Sequence, residues 1–159
     1  MTVVPPVASA GLLIRRPAAE VFTAFVDPGV TARFWFTHGD APLTRGARVT
    51  WTWAMYGAVT TLQVKALEPN RRILIDWDLA ADPTEVEWRF DARGDDTWVT
   101  VENRGFPDSE KGLAAALDST GGFALVLAGA KIWLEHGIDP RFVVDRHPDH
   151  HVEGWEPRS

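Results

Sequence analysis

The sequence contains no cysteine, a single tyrosine and fewer basic than acidic side chains. Without cysteine the chain has no disulfide framework, no thiol nucleophile and no cysteine metal site. Its 16 Lys and Arg residues against 22 Asp and Glu residues give a formal net charge of −6. A nucleic acid or an anionic membrane surface would be repelled, so neither is an expected partner.

The chain also lacks the apolar segments that targeting and membrane insertion use. No basic stretch followed by an apolar run opens the sequence, so we expect no signal peptide and a cytoplasmic location. The longest helix-like apolar stretch, Phe123 to Leu134, is too short to span a bilayer and contains Lys131. We therefore expect no membrane insertion.

Length and punctuation predict one domain with a tail. The chain has 159 residues, which is close to the commonest size of a single domain, and its Pro and Gly residues are spread out rather than gathered into a linker. The predicted domain covers residues 1–137. Residues 138–159 form a tail that is expected to pack on the domain or on a partner subunit.

Aromatic side chains are plentiful, with 8 Trp and 8 Phe beside the 1 Tyr. These rings bury large apolar areas, and nearly all of them lack a hydroxyl group. The interior of the domain is therefore expected to be rich in apolar ring surface and poor in hydroxyl groups.

The first part of the sequence predicts one strand followed by two short helices. Residues 11–16 are a short apolar run that ends at Pro17, and apolar residues with helical spacing follow over 21–26. Asp27 and the Pro-Gly after it end that helix. A brief aromatic helical turn is expected over 30–36.

Period-two alternation predicts five further strands. Val49, Trp51 and Trp53 share one face of the first of them. The predicted strands cover residues 49–53, 59–67, 73–78, 85–90 and 97–103. Because short turns join them, they should form an antiparallel meander.

The last predicted element is a long helix. Residues 104–117 are expected to be irregular or weakly helical, and Asp118 with the Ser-Thr after it can cap a helix that ends at Gly137. One face of this helix can lie on the sheet, but the opposite face, with Leu125, Ala128 and Ile132, is also apolar. The tail could cover that face. A homodimer is expected if the tail does not.

The order and wording of these segments resemble a known family. Residues 14–25 followed by Trp35, residues 67–73 leading to Trp77, and Gly122-Phe123 in the last helix are similar to homologues of the activator of the ninety-kilodalton heat-shock ATPase. That branch belongs to the START-like, birch-pollen-allergen-like superfamily called SRPBCC. Where the family often has His late in the last strand, this chain has Asn103.

The resemblance implies an α+β helix-grip fold, in which a curved antiparallel sheet of about six strands wraps around a long C-terminal helix. It also implies a cavity between the sheet and that helix, and the predicted inward faces carry many bulky rings that are hard to pack without gaps. We therefore predict the binding of a small hydrophobic or aromatic molecule, with no cofactor. The predicted ligand-binding residues are Trp35, Trp53, Tyr56, Trp77, Trp88, Phe90, Val101, Asn103, Phe123 and Leu127.

No catalytic residues are predicted, because no Ser-His-Asp set, phosphate loop or pair of inward carboxylates can be assembled. The polar residues expected to face inward or to lie near the cavity mouth are Asn103, Gln63, Arg33 and His38. An enzyme resembling polyketide cyclases and aromatases, with Asn103 orienting a carbonyl, is one alternative function. An interaction with a chaperone ATPase, suggested by the family name, is another.

Two charged clusters have alternative interpretations. The carboxylates of Asp76, Asp78, Glu85 and Glu87 are expected on the outer face of the sheet, either solvated and screened by arginines or forming a surface for cations or a basic partner. In the tail, the segment 147–151 holds three histidines and an aspartate, residue types that ligate zinc. Its spacing matches no standard site, so we predict a polar tail and no metal.

Overall fold

The computed structural model of the chain describes residues 4–156. Seven antiparallel strands form a curled half-barrel, and a long helix near the C-terminus packs against it. The predicted α+β helix-grip fold is confirmed.

The order of elements follows the predicted one, with additions. The strands are β1 (Ala8–Ile14), β2 (His38–Gly39), β3 (Arg48–Trp53), β4 (Ala58–Glu68), β5 (Arg72–Trp77), β6 (Thr84–Arg93) and β7 (Asp96–Arg104). The helices are α1 (Ala18–Val26), α2 (Pro28–Thr31), α3 (Glu110–His136) and α4 (Phe142–Arg146). Single 3₁₀ turns cover Ala54–Tyr56 and Pro148–His150.

The sheet order is β1-β7-β6-β5-β4-β3-β2. The meander runs from β3 to β7 as predicted, and β1 then pairs with β7 over Ala8–Ile14, a few residues earlier than the predicted strand 11–16. Strand β2 was not predicted, so the expected count of about six strands was low. This strand exists only because His38 and Gly39 pair with Thr52 and Trp51 of β3, and two residues carry no periodic signal.

The apolar residues that alternate along the predicted strands are the residues that are buried in the structure. Val49, Trp51 and Trp53 are buried, as are Val86 and Trp88 at the equivalent positions of β6. Thr50 and Thr52 between the first three are only half-buried. The sheet therefore has one apolar face, and α1 and α3 supply the side chains that cover it.

Helix α3 begins at Glu110, eight residues before the predicted start, so the expectation of an irregular segment up to residue 117 was wrong. Ser109 is the N-cap, and its hydroxyl oxygen accepts a hydrogen bond of 3.1 Å from the backbone N–H of Gly112. The run Leu-Ala-Ala-Ala-Leu over 113–117 then favours helix by intrinsic propensity. Both leucines are exposed, which is why no apolar periodicity marks this segment.

The cap gives a direct test of where α3 begins. Ser109→Ala removes one of the hydrogen bonds that satisfy the first turn, so the free energy of unfolding should fall by about 1 kcal/mol in a urea titration. A helix that began at Asp118 would lose nothing. Unchanged stability in this variant would therefore contradict the observed start.

Charged residues inside α3 tie it to the first strand. The ammonium group of Lys131 donates to the backbone oxygen of Leu13 at 2.8 Å and to Glu135 at 2.6 Å, and the backbone N–H of Arg15 donates to the same carboxylate. Burial raises the pKa of Glu135. These hydrogen bonds and the Lys131 charge lower the pKa by more than burial raises it, so it lies below its ordinary value. The lysine in this apolar helix is thus paired.

At 27 residues α3 is much longer than the apolar stretch predicted from the sequence. By length and composition it is the one helix of the described residues that could cross a membrane. The length argument against a membrane span therefore does not hold. The core helix of a soluble domain passes the same criteria, and α3 packs along β1 and β7 in this structure.

The outer face of the sheet carries an ion-pair cluster centred on a buried carboxylate. Glu87 is only 4% exposed, and its carboxylate accepts hydrogen bonds from Arg72, Arg89 and Arg104. Glu85 beside it pairs with Lys65 at 2.8 Å and Arg104 at 2.7 Å. The screening by arginine is as predicted, but the expected solvation was wrong for Glu87, because three guanidinium groups cover it.

Candidate functional site

A cavity of about 480 Å³ lies between the sheet, α3 and the tail. Its apolar wall is formed mainly by Trp35, Trp53, Trp77, Phe123, Val126 and Val143. Trp53 comes from β3, Trp77 from β5 and Trp35 from the turn after α2. Helix α3 supplies Phe123 and Val126. The cavity is therefore built where the predicted inward faces meet the helix.

The predicted ligand-binding residues divide into two groups. Those that line the cavity are Trp35, Trp53, Tyr56, Trp77, Asn103 and Phe123. The others, Trp88, Phe90, Val101 and Leu127, are at most 4% exposed and pack in the core, away from the lining. These four support the wall, and a ligand role for the first group stays a prediction.

The aromatic wall is packed ring against ring. The ring of Trp35 stacks on that of Trp77, with centroids 5.7 Å apart and planes inclined by 9°. It also meets the edges of Trp53 and Phe123, at centroid distances of 6.0 and 5.8 Å. Each ring is thus held by others, so the aromatic wall is already ordered.

Asn103 reaches the cavity, but its amide is already occupied. Its NH₂ group donates to the hydroxyl of Thr84 at 2.9 Å and to the backbone oxygen of Glu85 at 3.0 Å. Its carbonyl oxygen accepts a hydrogen bond of 2.8 Å from Ser119 of α3. These bonds give Asn103 a structural role, because they join β6, β7 and α3 at the cavity.

Thr60 is a polar cavity residue that was missed in the sequence. It is 6% exposed, lines the cavity, and its hydroxyl has no hydrogen-bond partner among residues 4–156. Buried hydroxyls in folded proteins nearly always have a partner, so this group is available to a polar atom of a ligand. Thr60 lies two residues before the buried Leu62 and four before the buried Val64, and this spacing of two could have placed it on the inner face.

The cavity mouth carries acidic side chains. Asp78, Asp82 and Asp118 line it, so the expectation that Asp78 faces outward was wrong. Asp78 follows directly after β5 and has a φ of 60°, which breaks the alternation of the strand. The side chains of Asp78 and Asp82 form no ion pair or hydrogen bond within the described residues.

The tail closes one side of the cavity, where Val143, Arg146 and His147 line it. The Tyr56 hydroxyl donates to the backbone oxygen of Val143 at 2.5 Å and accepts from the backbone N–H of His147 at 3.3 Å. Burial is the main cause that raises the pKa of this phenol, against smaller lowering effects of the His147 hydrogen bond and the Arg146 charge. The phenol therefore stays protonated and can hold the tail in place.

Arg146 lies across α3 at a pair of glycines. Its guanidinium donates to the backbone oxygen of Asp118 at 2.8 Å and to the carboxylate of Asp118 at 3.1 Å. A Cβ atom would come within 2.9 Å of this guanidinium at Gly121 and within 2.6 Å at Gly122. The two glycines therefore make room for Arg146, a contact that no sequence pattern revealed.

The attachment of the tail can be tested at Tyr56. Tyr56→Phe removes its hydrogen bonds to the tail and should weaken docking by about 1 kcal/mol, so the Val152 amide should exchange with solvent about fivefold faster. The amides of β5 serve as an internal control and should exchange at the unchanged rate. Equal exchange of the tail in both proteins would show that Tyr56 does not hold it.

The other polar residues expected inside do not reach this cavity. Gln63 alternates with buried residues of β4 and donates instead to the backbone oxygens of Gly46 and Ala47. Arg33 lies over the ring of Trp133, 5.2 Å from its centroid, and lines a second cavity beside the tail. His38 is exposed in β2. The expected inward or mouth positions were wrong for all three.

The tail histidines form ring contacts. His147 stacks on His150 with centroids 5.3 Å apart, and His151 packs on Trp155 at 4.7 Å. Within the described part of the chain, no three His, Asp or Glu side chains are grouped as a metal ion would require. The ring contacts thus account for where these histidines lie, and the zinc alternative gains no support.

A half-barrel closed by a long helix, with an aromatic cavity between them, defines a helix-grip protein of the START-like class. Residues 15–129 match the model of the family described as Activator of Hsp90 ATPase homolog 1-like protein. Because the match covers most of the chain, the chain belongs to this family. The tail lies outside the matched residues.

Solved structures share the fold at low sequence identity. The protein SSP2350 from Staphylococcus saprophyticus is 24% identical with a TM-score of 0.74, and the match covers 85% of this chain and 96% of that one. The Aha1 dimer from Colwellia psychrerythraea is 16% identical with a TM-score of 0.71, covering 82% and 97%. DynU16, a protein of the dynemicin biosynthetic locus, is 22% identical with a TM-score of 0.75, covering 86% of this chain and 49% of that one. A search of curated proteins gave no significant match.

Proposed function

We propose that this protein binds a small hydrophobic or aromatic molecule in the cavity between the sheet and α3. The observation that carries this proposal is the set of rings Trp35, Trp53, Trp77 and Phe123 around a space of about 480 Å³. A cavity of this volume falls in the range that drug-sized ligands occupy, and an apolar lining with few polar groups is typical of such sites. We also propose that the protein acts in the cytoplasm and without a cofactor.

The lining favours binding over catalysis. General acid–base chemistry needs a side chain that can exchange a proton close to the substrate. The polar side chains of the lining include three hydroxyls, of Thr60, Thr84 and Ser119, together with three aspartates and His147. Among the described residues, none of these hydroxyls is hydrogen-bonded to an aspartate or to the His147 ring, so no nucleophile is paired with a base there. The alternative of a cyclase-like enzyme that uses Asn103 must therefore break hydrogen bonds that the amide already makes.

The family name supplies another alternative, an interaction with a chaperone ATPase. No surface formed by residues 4–156 identifies such a partner, and the matched solved structures are under 25% identical, so they show the fold alone. We keep binding of a small molecule as the proposed function. A homodimer stays a second proposal, for which the exposed Leu113 and Leu117 of α3 offer a surface and sedimentation of the full chain is the test.

The direct test is a titration with naphthylmethanol, a neutral planar probe, followed by tryptophan fluorescence. Rings of Trp35, Trp53 and Trp77 line the cavity, so a bound probe should quench their emission with saturation at one probe per chain. Native mass spectrometry should show the same stoichiometry. If neither method detects a complex, the proposed function is wrong.

A further inference from the structure

We propose that the molecule bound in this cavity is an amine, with a planar apolar body among the tryptophans and a positively charged nitrogen at the acidic mouth. This inference rests on the proposed ligand-binding function and adds the charge of the ligand. It follows from the charges that line the cavity and from the Thr60 hydroxyl.

The charges at the cavity mouth do not cancel. The lining contains three carboxylates, of Asp78, Asp82 and Asp118, against the single guanidinium of Arg146 and the imidazole of His147. Arg146 is paired with Asp118, whose backbone and side-chain oxygens both accept from it. Asp78 and Asp82 are left without a cation among the described residues. A cation at the mouth would be attracted, and an anion would be repelled.

The apolar wall reaches the acidic mouth directly. Trp77 is the last residue of β5 and Asp78 follows it, and both line the cavity. An indole ring attracts a cation to its face, and this attraction adds to that of a nearby carboxylate. Adjacent ring and carboxylate therefore suit a molecule whose charged nitrogen is attached to an apolar body.

The Thr60 hydroxyl is the second, independent observation. It is buried, lines the cavity and has no partner within the described residues. A hydroxyl oxygen accepts hydrogen bonds, and a primary or secondary ammonium group supplies several N–H donors. An amine could thus satisfy Thr60, which an unsubstituted hydrocarbon would leave unpaired.

The experiment compares three probes of the same shape: naphthylmethylammonium, naphthylmethanol and naphthoate. At low salt the ammonium probe should bind roughly tenfold more tightly than the neutral alcohol, and the carboxylate should bind more weakly than both. Added salt should reduce the preference because the mouth is open to solvent.

Variants identify the source of the preference. In Asp78→Asn/Asp82→Asn the ammonium and alcohol probes should bind equally, and asparagine tolerates the positive φ at position 78. The control Asp91→Asn/Asp95→Asn removes the same charge near the far end of β6 and in the turn that follows it, and should keep the full preference.

The outcomes separate this inference from the proposed function. If the alcohol binds as tightly as the ammonium probe, or if the preference survives in Asp78→Asn/Asp82→Asn, the amine inference is overturned and the proposed function stands. If no probe binds, both are overturned. A preference that disappears only in the cavity-mouth variant supports both.

Discussion

Glu87→Ala is expected to lower the free energy of unfolding by about 3 kcal/mol, the largest stability loss that we predict for any single outer-face residue. The carboxylate is 4% exposed and bridges Arg72, Arg89 and Arg104, which come from three neighbouring strands. Without it the guanidinium groups of Arg72 and Arg104 lie side by side with no shared anion. Their side chains are 27% and 31% exposed, so water hydrates them in part and keeps the loss at the lower end for a broken buried pair.

The same carboxylate makes stability depend on pH. Burial raises the pKa of Glu87. The Arg72 hydrogen bond and the charges of Arg72 and Arg89 lower the pKa by more than burial raises it, so the folded pKa lies below the ordinary value. The pKa of Glu85 is also lowered, by hydrogen bonds from Lys65 and Arg104. A carboxyl group whose pKa is lower in the folded than in the unfolded protein stabilises the fold when the pH is above its unfolded-state pKa. This stability is lost as the pH falls through the folded-state pKa. The native chain should therefore lose stability below a pH of about 4.5, and Glu87→Gln should lose less over that range.

Glu102 offers a matched control. It lies opposite Glu87 on β7, but its side chain is 49% exposed and 3.6 Å from Arg104. Glu102→Gln should change stability by less than about 0.5 kcal/mol, since exposed ion pairs contribute little. Chemical denaturation of the native chain and of the three variants at neutral and acidic pH gives both results. Equal losses in Glu87→Ala and Glu102→Gln would contradict the assignment of Glu87 as the centre of the cluster.

Val126→Phe should reduce the affinity for naphthylmethanol at least tenfold while the protein stays folded. Val126 is 3% exposed, belongs to α3 and lines the cavity beside Phe123. A phenyl group at this position takes up the space that the probe needs, and because the cavity accommodates the added ring, the stability cost should stay near 1 kcal/mol. Fluorescence titration measures the affinity, and thermal unfolding checks the fold.

Val7→Phe is the corresponding control, since Val7 is 45% exposed and lies outside the cavity lining. It should bind the probe like the unaltered protein. If both variants bind equally, the probe does not occupy the cavity between the sheet and α3. If Val126→Phe fails to fold, the milder Val126→Leu should still weaken binding severalfold, and unweakened binding there would also count against the cavity.

The fold could be predicted largely from local patterns. Strands β3 to β7 follow from period-two alternation, since one-sided burial forces apolar residues such as Ile73 and Ile75 onto one face. Strand β2 and the first turns of α3 could not be found this way. The former exists only through pairing with β3, and the latter is stabilised by the Ser109 cap and alanine propensity, with its leucines exposed.

The aromatic part of the candidate site could be predicted, but its polar mouth could not. Trp53 and Trp77 lie on strand faces that alternation defines. The position of Asp78 depends on a positive φ just beyond a strand end, where alternation no longer applies. The position of Arg146 depends on contacts of the tail with Asp118 and the glycines of α3, residues distant in sequence. Long-range contacts of this kind leave no periodic signal.

The central claim is that a planar apolar molecule occupies the space between the aromatic wall and α3. Isotope-filtered NMR of the chain with bound naphthylmethanol tests it most directly, because cross-relaxation reports which methyl groups lie near the probe. We expect contacts from the probe to the methyl groups of Val126 and Leu125, both of which line the cavity. Contacts confined to Met55 and Val144 beside the second cavity, or no contact with any methyl group, would contradict it.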